Sequence, residues 1–268
     1  MSNARPPKFP IGLDRLAPTR RVGGETLRPQ RPVHEAVRDA QRQVVPSGLG
    51  LDSAGVRARM VARLRAEGLR CEPVLAALAA VPRHLFVDSA LISQAYEDTS
   101  LPIGLGQTIS KPSVVGRMIE LLQLAPGAAA RNGLGRVLEI GTGCGYQAAL
   151  LSQLASQVVS IERLKPLHDK ARERLAPLRR HNLRLVYGDG RAGHPPNAPY
   201  DSIIAAAGGD DLPQAWLEQL AIGGRLVAPM SAAGGQGQVL MVVDRHDGGY
   251  TRHVHEPVHF VPLKSGVA

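Results

Sequence analysis

The stretch Arg136-Val137-Leu138-Glu139-Ile140-Gly141-Thr142-Gly143-Cys144-Gly145-Tyr146 constrains this chain more than any other. Apolar residues at 137, 138 and 140 read as a buried strand, a glycine turn follows, and a helix-like segment opens at about Tyr146. A strand that turns through glycines into a helix N-terminus gathers backbone N–H groups and the positive end of a helix dipole at one point. Glycine is needed there because a Cβ would hold the backbone away from a ligand.

The spacing narrows the ligand. A dinucleotide site prefers G-x-G-x-x-G, whereas this turn is G-x-G-x-G with an acid, Glu139, two residues before its first glycine. A carboxylate beside the turn suits a ligand with a cationic end better than a diphosphate, and S-adenosylmethionine (SAM) is such a ligand. Gly141, Thr142 and Gly143 then form the expected cofactor turn. The next expected strand, residues 158–162, ends in Glu162, 21 residues after Gly141. That is the position of a carboxylate that accepts from ribose hydroxyls. A third strand over 183–187 runs into Gly188-Asp189-Gly190, where Asp189 could accept from an adenine amino group. Each acid taken singly also fits a helix cap or a turn; three at successive strand ends favour a nucleoside cofactor site.

Composition sets the outer bounds. A chain of 268 residues holds one large domain, or one domain with an appendage. With 44% hydrophobic but only 3% aromatic residues, the core must be packed largely by Ala, Leu and Val. Cys71 and Cys144 provide neither a disulfide framework nor metal-ligand spacing, as expected in a reducing compartment. No apolar run approaches the ~18 residues of a membrane span, and no apolar signal core opens the chain. A cytoplasmic, monomeric protein with no membrane partner is expected. The net charge of +9 is uneven, because residues 1–50 carry nine Lys/Arg against four Asp/Glu, together with seven prolines. The basic residues there are spread singly among acids and almost no aromatics. Residues 1–50 are therefore expected to be a flexible extension with at most a short helix near 33–44, and nucleic acid is not an expected partner.

Residues 51–268 read as the folded domain. Val56, Met60, Val61 and Leu64 repeat at helical spacing up to Gly68, and a second helix spans about 72–80 before Val81-Pro82. The segment AYEDTSLPIGLGQTISKPS, from Ala95 to Ser113, is a shaped loop or ribbon, with Pro112 opening a helix to about Leu124. Thr108 and Ser110 lie just before that helix, where capping is one reading and a site role the other. A basic amphipathic helix is expected over 164–178, a fourth strand over 200–205, a short helix over 213–220 and a fifth strand over 224–229. Residues 238–244 and 250–255 flank a hairpin turn. His253 and His255 share a strand face, but nothing joins them at ligand spacing, so no metal is expected. The fold class is α/β, with a doubly wound, mostly parallel sheet, N-terminal helices and a C-terminal antiparallel hairpin.

The acceptor is narrowed by absent groups. Ala206-Ala207-Gly208-Gly209 stands where an amide or exocyclic-nitrogen methyltransferase would carry N/D-P-P-Y/F, and neither cysteine is placed as a nucleophile. A carboxylate acceptor is already ionised at neutral pH, with a pKa near ~4, and needs only to be desolvated and aligned. The combination AYEDTSLPIGLGQTISKPS, VLEIGTGCGY, SIE, YGDG and HFVPL, from about residue 55 onward, resembles the protein-L-isoaspartate O-methyltransferase family. The resemblance implies a class I, Rossmann-like enzyme that uses SAM to esterify the α-carboxylate of L-isoaspartyl residues in damaged proteins. The ester then cyclises to a succinimide, and its reopening gives back part of the normal aspartate. By the same resemblance Ser110 corresponds to the active-site serine, with Thr108 and Ile109 beside it at the substrate. Glu139, Gly141, Thr142, Gly143, Glu162, Asp189 and Gly190 correspond to the cofactor set. The extension, a long connector over 128–135 and the Gly208-Gly209-Asp210-Asp211 turn depart from the family pattern. Competing readings are a methyltransferase for another carboxylate or small molecule, and a nucleic-acid-associated protein that uses the basic arm.

Overall fold

In the computed structural model, residues 54–131, 133–232 and 237–268 are described. The extension expected over 1–50, with its short helix, lies outside them. The backbone forms strands β1 (Leu101–Gly104), β2 (Gln107–Ile109), β3 (Arg136–Ile140), β4 (Gln157–Glu162) and β5 (Leu183–Tyr187). They are followed by β6 (Tyr200–Ala205), β7 (Leu220–Ser231), β8 (Gln238–His246) and β9 (Gly249–Val258). The α-helices are α1 (Ala54–Ala66), α2 (Glu72–Ala80), α3 (Pro112–Gln123), α4 (Ala128–Arg131), α5 (Tyr146–Leu154), α6 (Lys165–Leu175) and α7 (Gln214–Gln219). No helix among the described residues is long and apolar enough to cross a membrane.

The seven-stranded sheet has the order β5-β4-β3-β6-β7-β8-β9. Pairs from β5 to β7 are parallel and the last two are antiparallel. Parallel strands are covered on both faces and so read as continuous apolar runs. In β3 and β4 all but the first residue of each strand are buried. Period-two alternation then divides the strand residues between two cores. Val137 and Val158 join the layer built from α1, α2, α3, α5 and α6, whereas Leu138, Ile140, Val159 and Ile161 join the opposite layer with Trp216 of α7. Glu139 and Ser160 face each other in register, on the side of Val137 and Val158.

The antiparallel end is stitched by an opposed pair. Arg225 in β7 stands across from Asp244 in β8, and its Nε and Nη2 donate to the two carboxylate oxygens at 2.7 and 2.8 Å. Such forked pairs fix register as well as contributing energy. On the other flank, Arg174 of α6 donates to the carbonyls of Phe86 and Val87 and to Asp88, which ties the segment after α2 to the sheet layer.

Gly145 sits at the N-cap of α5 with φ +93°, and a Cβ there would lie 2.9 Å from Leu175 Cδ1. The leucine end can shift, but the left-handed backbone cannot be relieved. Gly145→Ala is expected to cost about 1–3 kcal/mol. Urea unfolding followed by circular dichroism would register this as a lower midpoint, and an unchanged midpoint would contradict the assigned backbone.

Candidate active site

After β5 the chain returns to pair β6 against the opposite edge of β3, so the winding direction changes between β3 and β6. Open α/β sheets bind ligands outside the carboxyl ends of their strands at such a point. A cleft lies there, lined by Gly141, Thr142 and Gly143 from the glycine turn, Glu162 from the end of β4 and Gly190 after β5. Its other wall comes from the two-stranded antiparallel ribbon β1–β2 and the turn after it, which contribute Thr108, Ile109 and Ser110. Two stretches about thirty residues apart, which share no secondary-structure element, thus meet across one cavity.

Glu162 organises the turns. Its Oε2 accepts from the Gly143 N–H and its Oε1 from the Leu164 N–H, both at 2.9 Å. The N–H groups of Gly141 and Thr142 are spent on the Ile161 carbonyl. One carboxylate therefore holds both the glycine turn and the turn into α6, with lone pairs remaining on each oxygen.

Glu139 and Asp189 lie outside the cleft lining. Glu139 has no solvent exposure, because alternation along β3 turns it into the helical layer rather than towards the strand end. Its Oε2 accepts from Ser160 Oγ at 2.5 Å, Ser160 Oγ lies 2.6 Å from Thr142 Oγ1, and the Gln147 side chain is the carboxyl's second hydrogen-bond partner. Burial drives the Glu139 carboxyl up to about 8, against the hydrogen bonds from Ser160 and Gln147. Asp189 accepts from the Arg191 N–H at 2.9 Å and the Gly266 N–H at 2.6 Å, so it caps a 3-10 turn and anchors the C-terminal segment.

The ribbon settles the capping question for Thr108 and Ser110. The N-cap of α3 is Lys111, which makes no side-chain cap bond. Asp98 supplies it from a distance, accepting from Ser113 N–H at 2.8 Å and Ser113 Oγ at 2.7 Å. The Thr108 side chain is exposed, Ser110 is half-buried and Ile109 is buried against the core.

Sequence reasoning missed a third wall. Residues 261–264 line the cleft, with Leu263 N–H donating to the Gly208 carbonyl at 2.6 Å and Gly208 N–H donating to the Val261 carbonyl at 2.8 Å. The Gly208-Gly209 turn, which departs from the family pattern, is thus what grips this segment. HFVPL marked the stretch, but only tertiary contact reveals what it covers. Tyr146 and Gln147 at the start of α5 also reach the cleft, and their apolar or neutral character gave no signal in the sequence.

The residues fit a nucleoside cofactor. Gln147 lines the cavity while its side chain also meets the Glu139 carboxyl behind it, and the Glu162 oxygens keep acceptor capacity at the strand end where a ribose would lie. Cys144 is unsuited to nucleophilic work, since burial raises its thiol pKa. Cys71 is half-buried outside the cleft with its thiol likewise raised. Among the described residues, no group of three or more His, Cys, Asp or Glu side chains could hold a metal ion.

Comparison with known proteins now decides the family. Residues 56–268 match the family model for protein-L-isoaspartate(D-aspartate) O-methyltransferase. A Methylibium petroleiphilum protein-L-isoaspartate O-methyltransferase is 67% identical over 97% of this chain and 96% of its own. The chain belongs to the protein-L-isoaspartate O-methyltransferase family. A Leptothrix cholodnii relative of the same name is 62% identical over the full chain and 98% of its own length. A solved protein-L-isoaspartate O-methyltransferase superposes with a TM-score of 0.69 at 28% identity, covering 79% of this chain and 67% of that one. A Plasmodium falciparum structure assigned the same enzyme name, in complex with S-adenosyl-L-homocysteine, shares the fold. Its TM-score is 0.64 at 22% identity, over 78% of this chain and 98% of that one. Family members with this sheet are class I methyltransferases, in line with the doubly wound sheet read from the sequence.

The Glu139 carboxyl gives this site a pH signature. Its folded pKa of about 8 lies above the ordinary 4.5, so the native state holds a proton that the unfolded chain releases. The stabilisation is complete below the unfolded value and is lost as pH rises through the folded one, at up to about 1.4 kcal/mol per pH unit. Glu139→Gln is expected to flatten the fall in stability between about pH 5 and pH 8, measured by denaturant midpoints. Parallel pH profiles for the two proteins would place that titration elsewhere.

Proposed function

We propose that this chain is a SAM-dependent repair methyltransferase for the α-carboxylate of L-isoaspartyl residues in damaged proteins and peptides. The observation that carries the reading is the meeting of the GQTIS ribbon and the glycine turn on one cleft, in a chain that matches the family over residues 56–268. SAM, the cofactor of this family, supplies when bound a methyl group on a sulfonium centre, and an ionised carboxylate can accept it without surrendering a proton.

In this reading Glu162 accepts from the ribose hydroxyls with the lone pairs left beside its two amide donors. Gly141, Thr142 and Gly143 bring backbone close to the amino-acid end, and Gly190 floors the adenine edge. Glu139 and Asp189 act behind the cleft: the first braces Thr142 through Ser160, and the second fixes the segment that covers the site. Ser110 and Thr108 orient the acceptor carboxylate by hydroxyl donation, with Ile109 packed beneath them. Ser110 is a positioning hydroxyl, since the substrate oxygen is itself the nucleophile. Ile103, Leu105 and Leu263 line the cavity with apolar surface that displaces water from that oxygen. A desolvated carboxylate held in line needs no general base. The cleft is built within one chain, and both cysteines are free thiols, which supports action as a cytoplasmic monomer.

Methyl transfer from labelled SAM to two peptides that differ only in L-isoaspartate or normal aspartate tests the reading, scored as base-labile methanol. Transfer to the isoaspartyl peptide alone is expected; transfer to neither, with SAM bound, would refute it. Ser110→Ala should lower kcat/KM for that peptide by about 10- to 100-fold, the size of one lost positioning hydrogen bond, with SAM affinity within about twofold. Glu162→Ala should weaken SAM binding by at least about tenfold, because it removes the ribose acceptor and releases two turn amides. Calorimetric affinities would check both, and a Glu162→Ala protein with native SAM affinity would remove Glu162 from the ribose.

A further inference from the structure

Arg83 is the residue that the proposed reaction leaves unexplained. It has no solvent exposure, and the side chain it meets through a hydrogen bond is the neutral phenol of Tyr146, whose pKa burial pushes up to about 12. Its Nη2 donates to the Ser110 carbonyl at 2.8 Å and lies 3.5 Å from the Thr99 carbonyl. Thr99 precedes β1 and Ser110 follows β2, so one guanidinium grips both feet of the ribbon. The same group lies 4.8 Å from the centre of the Tyr146 ring, whose other neighbour is the edge of Phe86. Tyr146 opens α5 directly after the glycine turn and lines the cleft. Arg83 therefore touches the substrate wall and the cofactor wall at once.

Its neighbours at short range are neutral: two carbonyls and the Tyr146 phenol. Among the described residues no carboxylate comes within 4 Å of it, and the oxygens of Asp98, which acts on it from further away, are occupied by Ser113. A guanidinium stays protonated even where burial disfavours its charge. Burying an unpaired cation is costly, and an apolar residue of similar volume would commonly stabilise the fold as well or better. A cation kept at such cost is explained by an anion that arrives from outside.

We propose that Arg83 is a positioning residue for methyl transfer, which holds Ser110 in place and sets a positive charge behind the acceptor carboxylate. The inference rests on the isoaspartyl reading above. The carboxylate would enter beside Ser110, one peptide carbonyl away from the guanidinium, in a site whose walls screen the attraction poorly. The cation thus selects an ionised acceptor and offsets the loss of its hydration, without touching it.

Arg83→Lys keeps the charge and one donor; Arg83→Met keeps the bulk and loses both. Arg83→Met should raise KM for the isoaspartyl peptide by at least about tenfold, with SAM affinity within about threefold and thermal stability kept or increased. Arg83→Lys should recover most of the loss. Should the Met variant not fold, Arg83→Gln, a neutral donor, replaces it with the same expected rise in KM. Unchanged peptide KM in the neutral variants, or a Lys variant as impaired as they are, would overturn the inference. So would a fall in SAM affinity as large as the rise in KM, since that marks a purely structural role. Wild-type protein that ignores the isoaspartyl peptide would overturn the functional reading, and this inference with it. Wild-type activity that the neutral variants leave intact would overturn this inference alone.

Discussion

The carboxylate of Glu162 accepts from Gly143 and Leu164, and through those two bonds it fixes the turns that follow neighbouring strands. A parallel sheet brings strand ends together but leaves the loops beyond them without ladder partners. Charge-assisted bonds from two amides to one anion supply the missing constraint. The Ile161 carbonyl, which takes the N–H groups of Gly141 and Thr142, completes it from the backbone side. The glycine turn is thus held before any ligand arrives, and the floor of the cleft is preorganised.

The opposite wall is assembled by other means. The ribbon carries only two short strands and cannot hold its own geometry. It is braced by Arg83 beneath, by Asp98 at the start of α3 and by Ile103 and Ile109 in the core. The covering segment is likewise borrowed, tied at Gly208 and at Asp189. Each wall depends on residues distant in sequence, so loss of any one brace would loosen the cleft without unfolding the sheet.

Much of this was readable in advance. The strands at 183–187 and 200–205 and the helix at 72–80 fall where periodicity put them, because buried parallel strands and Gly- or Pro-bounded helices leave strong local patterns. β7 begins at Leu220, earlier than the expected 224, because a register shift between Tyr200 and Ser202 lets the chain pair before and after a bend at Gly223. Spacing alone could not show which way an acid points. Glu139 precedes the turn by two residues and reads as a ligand contact, yet strand alternation buries it beside Ser160.

The sequence by itself determined the sheet, the glycine turn, the family resemblance and part of the cleft lining: Thr108, Ile109, Ser110, Gly141, Thr142, Gly143, Glu162 and Gly190. These rest on local periodicity and on motifs whose chemistry lies within a few consecutive residues. Only the tertiary structure decided that Glu139 and Asp189 lie outside the cleft lining, that residues 261–264 form one of its walls and that a buried cation lies under Ser110. Those facts depend on contacts across more than twenty residues of chain, where a side chain's role is set by the neighbours that folding brings to it.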